Sequence, residues 1–461
     1  MRVIRWAMLS SVAVLLTASV QAAEMELAPV PPGNGVSAQG PQAAATDATG
    51  SAGEAAATDT TASAGAPQAA ASPDPAPGPA ADPKPWKLPQ PCLAQALGID
   101  ISGWLEPGVT LNTLSPRDRW NGPVATDDRS NDFEMNQFWL AFVRPVKTDG
   151  DGFDIGGRVD VVYGTDWRYG DSPGLEQRID YQHQLYGLIL PQMYMEVGIN
   201  DLTIRLGHYA ASIGYEIVPA PANFFYSHSY ALGYSEPILV TGGRAEYKIS
   251  DNWSVNAGLN DGWGNFEDPD NAIDFLGGVN WQNDEKTTSL SYQLTFGREG
   301  VFGMTPPTGT NQIYDAALVF KQQITKKLLY VAQNNMGFDS EGNPRTGGFA
   351  RWYGLAQYFI YTINPKLSAG SRIEWFRDEE GSRVAGVGNL NYGWTGAPGF
   401  EGTFTELTFG LNYRPNLNFV IRPEIRCDWY SGSTNVAGQL PFGDGTRSQQ
   451  LLLATDMIFT F

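Results

Sequence analysis

From about residue 98 onward, apolar and polar residues alternate in sixteen successive segments. In one of them Phe153, Ile155, Gly157, Val159, Val161 and Tyr163 interleave with Asp154, Gly156, Arg158, Asp160 and Val162. Near the end Phe419, Ile421, Ile425, Cys427 and Trp429 interleave with Val420, Arg422, Glu424, Arg426 and Asp428. A period of two is that of a β-strand, whose successive side chains face opposite sides of the sheet. Each segment therefore predicts a strand with one apolar and one polar face. A half-buried strand of a soluble sandwich shows the same alternation, so the connectors must decide between the two.

The connectors alternate in length without a break. The short ones are Lys147–Gly150, Asn200–Asp201, Ser250–Asn252, Asn283–Glu285, Thr325–Lys326, Asn364–Pro365 and Pro415–Asn416. The long ones fall near 115–131, 165–190, 210–236, 261–273, 298–311, 338–348, 379–401 and 431–447. A barrel that crosses an outer membrane has short periplasmic turns and longer external loops, whereas a sandwich has no reason to sort its loops. The predicted fold is all-β: a transmembrane antiparallel up-and-down barrel of about 16 strands, within a range of 14–18, behind a disordered N-terminal arm. Sixteen strands leave a water-filled interior. Lipid-facing cations at the midplane cost roughly 2–4 kcal/mol, so the charged phase must face the lumen.

That phase names the expected pore-lining residues: Arg158, Asp160, Glu196, Arg205, Arg244, Glu246, Arg372, Glu374, Arg422, Glu424 and Arg426. Both signs interleave, so many are expected to pair across strands and hold register. Arg205 and Arg158 facing Glu216 are the candidates for a transverse field at a constriction. With strand directions taken from the turns, Tyr163, Trp375 and Trp429 end outward strands. Trp253 begins one, and Trp281, Tyr413 and Phe461 end inward ones. These seven are the expected aromatics of two membrane interfaces. Pro423 fits badly, because a proline inside a closed barrel removes a ladder hydrogen bond; a bulge or local fray is expected there.

The segment before the barrel sets the compartment. Arg2 and Arg5, the apolar Trp6–Ala18 stretch and Val20-Gln21-Ala22 form a signal peptide over residues 1–22. Residues 23–90, rich in Ala, Pro, Gly, Ser and Thr, are expected to be a disordered periplasmic linker, with the barrel domain at 91–461 and one helical turn near Pro91–Leu97. The expected location is the outer membrane of a Gram-negative-type bacterium. The net charge of −19 argues against nucleic acid as partner. Lipid, small hydrophilic solutes and, through the last strand ending at Phe461, the barrel assembly machinery are the expected partners; a homo-oligomer stays open. The acidity also suggests a weak preference for cations. Cys92 and Cys427 lie at opposite membrane levels and are expected to be two free thiols, since a disulfide needs Cα atoms within about 7 Å.

The 210–236 connector is unusual. It reads AASIGYEIVPAPANFFYSHSYALGYSE, with many aromatic rings and few charges. Rings so close together are better buried than wet. The connector is therefore expected to fold inward and narrow the channel, with Tyr215, Glu216, Asn223, Phe224, Phe225, Tyr226 and His228 at the constriction. Four stretches here resemble the β-barrel porin-2 (OmpL-like) family: GGRVDVVYGTD at 156–166, LGHYAASIGYE at 206–216, NFFYSHSY at 223–230 and DGWGNFED at 261–268. Gly103-Trp104, Gly108, Asn112 and the closing Phe461 suit the same family. The resemblance implies a membrane barrel with channel activity over the whole barrel region, with no defined site residue to carry over.

Enzymatic chemistry finds little support. The histidines are His183, His208 and His228. Ser227 or Ser229 with His208 would make a nucleophile–base pair, but no Gly-x-Ser-x-Gly elbow surrounds them. His208, His228 and Glu216 lack the spacing of a zinc site, and 265–271 lacks that of a calcium loop. No cofactor, metal or catalytic residue is expected. The expected function is passive diffusion of small hydrophilic solutes. The alternatives are a plugged barrel anchoring the membrane to the cell wall and, further off, a barrel hydrolase.

Overall fold

The computed structural model describes residues 84–124, 127–148, 150–176, 185–268, 271–298, 311–384 and 397–461. The proposed signal peptide and most of the linker lie outside them. Sixteen strands close into one antiparallel barrel in which each pairs with its sequence neighbours and β1 pairs with β16. They run from β1 (Asp100–Asn112), β2 (Asp132–Arg144) and β3 (Phe153–Gly164) through β4 (Gly187–Ile199), β5 (Leu202–Ala210), β6 (Leu239–Lys248), β7 (Trp253–Asn260) and β8 (Asp274–Gln282). The second half comprises β9 (Thr288–Arg298), β10 (Gln312–Gln323), β11 (Leu328–Asp339), β12 (Ala350–Asn364), β13 (Leu367–Asp378), β14 (Gly402–Asn416), β15 (Phe419–Gly432) and β16 (Gln449–Thr460). All long connectors emerge at one end and all short turns at the other, as an up-and-down order requires.

The alternation separates the two faces as the sequence predicts. Along β15, Val420, Arg422, Glu424, Arg426, Asp428 and Tyr430 are buried inside the barrel, whereas Ile425 and Trp429 are exposed outside. Other outward residues, among them Phe133, Leu259 and Phe296, expose half or more of their surface, the expected face of a barrel dressed for lipid. Among the interfacial candidates Tyr163, Trp253, Trp375, Tyr413 and Trp429 are exposed on this outer face, and Trp281 and Phe461 are half-buried.

Prolines sit where the ladder yields. At Pro107 the β1–β2 register shifts by one residue, and Pro191 lies on β4 beside the β3–β4 shift between Asp160 and Val162. Pro423 has no bulge. Its pairing with β16 continues through Thr455, but the β14–β15 ladder lapses between Gly410↔Glu424 and Tyr413↔Ile421. The missing proline N–H leaves a gap rather than an extra residue. Both cysteines are free, Cys92 on the exposed helix Cys92–Leu97 and Cys427 on the outward phase of β15.

The segment before β1 clasps the barrel's seam. The last β1–β16 contact is the reciprocal pair Gly103–Phe461, with both N···O distances 2.9 Å. One register step further on, the Gln90 side-chain amide takes over. Its Oε1 accepts the Ile101 N–H and its Nε2 donates to the Ile101 carbonyl, both at 2.8 Å. Trp86 exchanges a second reciprocal pair with Asn418 in the β14–β15 turn, at 2.7 Å each way, and its ring stacks on the outward Phe459. The short helix therefore lies at the short-turn rim beside the seam. Gln90→Ala leaves two strand-edge groups to water and is expected to cost about 1–2 kcal/mol. The check is the urea midpoint of the detergent-folded barrel: Gln90→Ala and Trp86→Ala should lower it, and an unchanged midpoint in both would reduce the clasp to a surface contact.

Candidate functional site

The chain between β5 and β6 turns into the barrel and crosses it. Phe225, Tyr226, Tyr230, Leu232 and Tyr234 are all buried. Room for the rings comes from inward glycines. A Cβ on Gly108 would lie 2.4 Å from the Tyr226 hydroxyl, and one on Gly370 would lie 2.5 Å from the Phe224 ring. Irregular backbone inside a barrel must find partners for its amides and carbonyls. Here the charged wall supplies them. Glu424 accepts the N–H groups of Tyr226 at 2.9 Å and Ser227 at 3.2 Å; Glu374 accepts those of Tyr230 at 2.6 Å and Ala231 at 2.8 Å. In return Arg422 donates to the carbonyls of Ala220 and Asn223, Arg372 to that of Ser227 and Arg426 to that of His228, at 2.6–3.0 Å. Within the loop, Ser229 Oγ caps the turn Tyr230–Tyr234 by accepting the Leu232 N–H.

The same guanidinium groups are held by carboxylates. Arg372 lies 2.6 Å from Glu406 and 2.8 Å from Glu216, Arg422 lies 2.9 Å from Glu106 and also pairs with Asp456, and Arg426 lies 2.9 Å from Asp428. This corrects one expectation: Glu216 meets neither Arg158 nor Arg205. The loop carries it across the lumen to Arg372 and His228, while Arg158 pairs with Asp160 along β3 and Arg205 with Glu196 across β4–β5. Burial acts to raise the Glu216 carboxyl, but the Arg372 charge, then His228 and the Ser229 N–H, hold it well below the usual carboxylate range. Glu236 lacks such a cation; burial and the neighbouring Asp315 push it well up. Sequence reading missed Glu106, Glu406 and Asp456 as members of the site. All three occupy the inward phase of their strands, which is the one signal that marks them.

Above this layer the long-loop mouth is closed. Trp120, Trp263, Val384, Phe400 and Phe442 from the connectors pack with Tyr230 and Tyr234 of the inward loop and with Trp352, Phe376, Phe404 and Tyr430 of the wall. Arg383 is clamped between Trp263 and Trp352, 5.0 and 4.8 Å from their ring centroids, and its Nε donates to the Tyr234 carbonyl at 2.7 Å. Glycines and Asp132 at the rim aside, every inward side chain described in the long-loop half of the wall is buried. The loop thus does more than narrow the lumen; with its neighbours it fills that half.

The short-turn half differs. On the β4–β11 side its inward residues, including Glu196, Arg205, Arg244, Glu246, Asn280 and Lys321, keep contact with water. Of the eleven expected lining residues, only the first four of these remain there. Arg158, Asp160, Arg372, Glu374, Arg422, Glu424 and Arg426 are buried. The hydrolase candidates do not assemble. His208 contacts Thr241 Oγ1 at 2.8 Å and Ser172 Oγ at 3.4 Å on β5, whereas Ser227 Oγ accepts from Arg372. Among the described residues no three His, Cys, Asp or Glu side chains are arranged to hold a metal.

Removing Arg372 would leave Glu216 and Glu406 buried without their cation, a loss of about 3–5 kcal/mol. Arg372→Met should therefore lower the urea midpoint strongly, and adding Glu216→Gln and Glu406→Gln should recover most of it. A triple variant no more stable than the single one would show that packing, not charge, holds the loop.

The family model described as "Putative beta-barrel porin-2, OmpL-like" matches residues 98–461. Among curated proteins none matches the chain. Among solved structures the fold is similar to in-vitro folded OmpT of Vibrio cholerae, at 11% identity and TM-score 0.51, covering 79% of this chain and 97% of that one. It is also similar to the outer membrane channel DcaP of Acinetobacter baumannii (10% identity, TM-score 0.50, 79% and 98% covered) and to OprB of Pseudomonas putida (12%, 0.50, 80% and 96%). A match from the start of the barrel to its last residue assigns the family, and the chain is a member of the OmpL-like β-barrel porin-2 family of outer-membrane porins.

Proposed function

We propose that this porin passes small hydrophilic solutes by diffusion, with its long loops outside the cell and its short turns in the periplasm, and that the inward loop and the aromatic mouth form its gate. The observation that carries the reading is the division of the lumen. The periplasmic half keeps a water-filled vestibule walled by ionised and amide side chains, which a barrel of purely structural use does not need. In this reading Glu196, Arg205, Arg244 and Glu246 meet the solute. Five of the buried charges, Arg372, Glu374, Arg422, Glu424 and Arg426, instead fix the gate's backbone, Arg158 and Asp160 pair with each other, and the outward aromatics Tyr163, Trp253, Trp281, Trp375, Tyr413, Trp429 and Phe461 set the membrane level. Nothing in this mechanism is chemical: solute moves down its gradient when the mouth opens.

The buried long-loop half favours a second reading, a plugged barrel whose N-terminal arm ties the membrane to the cell wall. Planar-bilayer recordings separate the two. A gated porin should show infrequent openings that become frequent in Arg383→Ala, which frees Trp263 and Trp352, and large steady steps when residues 218–232 are deleted. A folded, heat-modifiable barrel that stays silent in all three forms would favour the plugged anchor.

A further inference from the structure

The water-filled vestibule ends blindly under the loop, and its charges there do not balance. Arg205 and Arg244 are direct partners across the β5–β6 ladder. Like charges so placed repel, and a wall built only for stability would avoid them. Arg205 is compensated: its Nη2 lies 2.6 Å from Glu196 and its guanidinium sits 4.2 Å over the Tyr194 ring. Arg244 is not. Its nearest carboxylate, Glu246, is 3.5 Å away and more exposed, the Arg244 side chain is nine-tenths buried, and its Nε–H has no partner. Lys321 on β10 has no carboxylate within 4 Å among the described residues, and its Nζ lies 6.0 Å from the ring of Tyr215 on the loop's underside.

Arg244 and Lys321 both lie on the short-turn side of one packed cluster, on strands separated by β7, β8 and β9. Val240 and Ala317, each two inward positions above them on β6 and β10, belong to one packed cluster with Tyr209 and Ile213 where the loop meets the wall. The floor of that cluster is the roof of the vestibule. Three cations therefore line this part of the wall against two carboxylates, in a chain whose net charge is −19. A partly dehydrated donor with no acceptor, beside a second arginine and with an unpaired ammonium further along the same wall, is an arrangement that an oxyanion can complete.

We propose that Arg205, Arg244 and Lys321 form an anion-binding step at the inner face of the gate, so that this porin selects small oxyanions, phosphate or carboxylate-bearing, rather than the cations its overall acidity suggests. The proposal rests on the reading of the barrel as a solute pore. Within it, Glu196 and Glu246 are positioning residues that hold the two arginines side by side, and the missing negative charge is the solute's.

The test is calorimetric titration of the folded full chain, in zwitterionic detergent at low salt, with inorganic phosphate and in parallel with succinate. Saturable binding of one or both is expected, and which one binds tells phosphate from carboxylate recognition. Arg244→Gln and Lys321→Gln should each weaken binding at least tenfold, while Arg345→Gln, a cation of the external loops paired with Glu401, should leave it unchanged. Binding of neither anion, or equal affinity in all variants, overturns the proposal. In the form lacking residues 218–232, the reversal potential under a salt gradient should mark anion selectivity, lost in Lys321→Glu. Cation selectivity there would overturn the anion step and leave the porin reading standing. A silent bilayer with phosphate still bound would instead count against the porin and support the site.

Discussion

Everything inside this barrel depends on hydrogen bonds between acidic and basic wall side chains and the backbone of one loop. A segment without regular structure cannot lie in a lumen unless its amides and carbonyls find partners. Water would serve, but the rings of Phe225, Tyr226 and Tyr230 exclude it. Glu374 and Glu424 take the amides, while Arg372, Arg422 and Arg426 take the carbonyls. Each of these charges must itself be compensated, which is why the carboxylates Glu106, Glu216, Glu406, Asp428 and Asp456 surround the arginines. A buried ion pair is weak evidence of net stability. Its effect here is specificity, because on this path Glu216 reaches Arg372 while the wall's carboxylates and guanidinium groups meet the loop's amides and carbonyls.

The strands were legible because their signal is local and repeated. A period of two survives a gap such as that at Pro423, and sorting by connector length separates a membrane barrel from a sandwich without any tertiary information. Inward burial of the 210–236 loop was legible for a related reason: Phe224, Phe225, Tyr226 and Tyr230 are too many rings for water. The loop's path was not. Glu216 was expected beside Arg158 and Arg205, which are nearer in sequence, yet it docks on β13 because the loop crosses the full lumen to reach its glycine-lined seats. The clamp of Arg383 between Trp263 and Trp352 joins two connectors and a strand, and no spacing announces it.

The same limit explains why the expected pore lining divided in two. Phase along a strand tells which side chains point inward, but not which of them a distant segment will cover. Arg372 and Arg244 occupy equivalent phases, yet one is sealed beneath Ser227 and the other borders water. Inward charge in a barrel therefore has two uses, to line a path or to hold a plug. Only the three-dimensional course of the loop assigns a residue to one or the other.

Energetics then restrict how such a gate can move. Each buried aromatic ring hides about 150–250 Å², and at about 25 cal/mol per Å² its full exposure costs roughly 4–6 kcal/mol. Releasing Phe225, Tyr226 and Tyr230 together would thus cost roughly 12–18 kcal/mol on this scale, before any charged hydrogen bond is broken. Expulsion of the whole loop is too rare an event to conduct solute. The mouth above it is held differently, by Trp120, Trp263 and Arg383 on connectors, where a ring or guanidinium can swing toward solvent alone. Local rearrangement of these outer contacts, with individual loop side chains shifting above the vestibule while the charge-anchored loop backbone stays in place, is the motion this architecture permits.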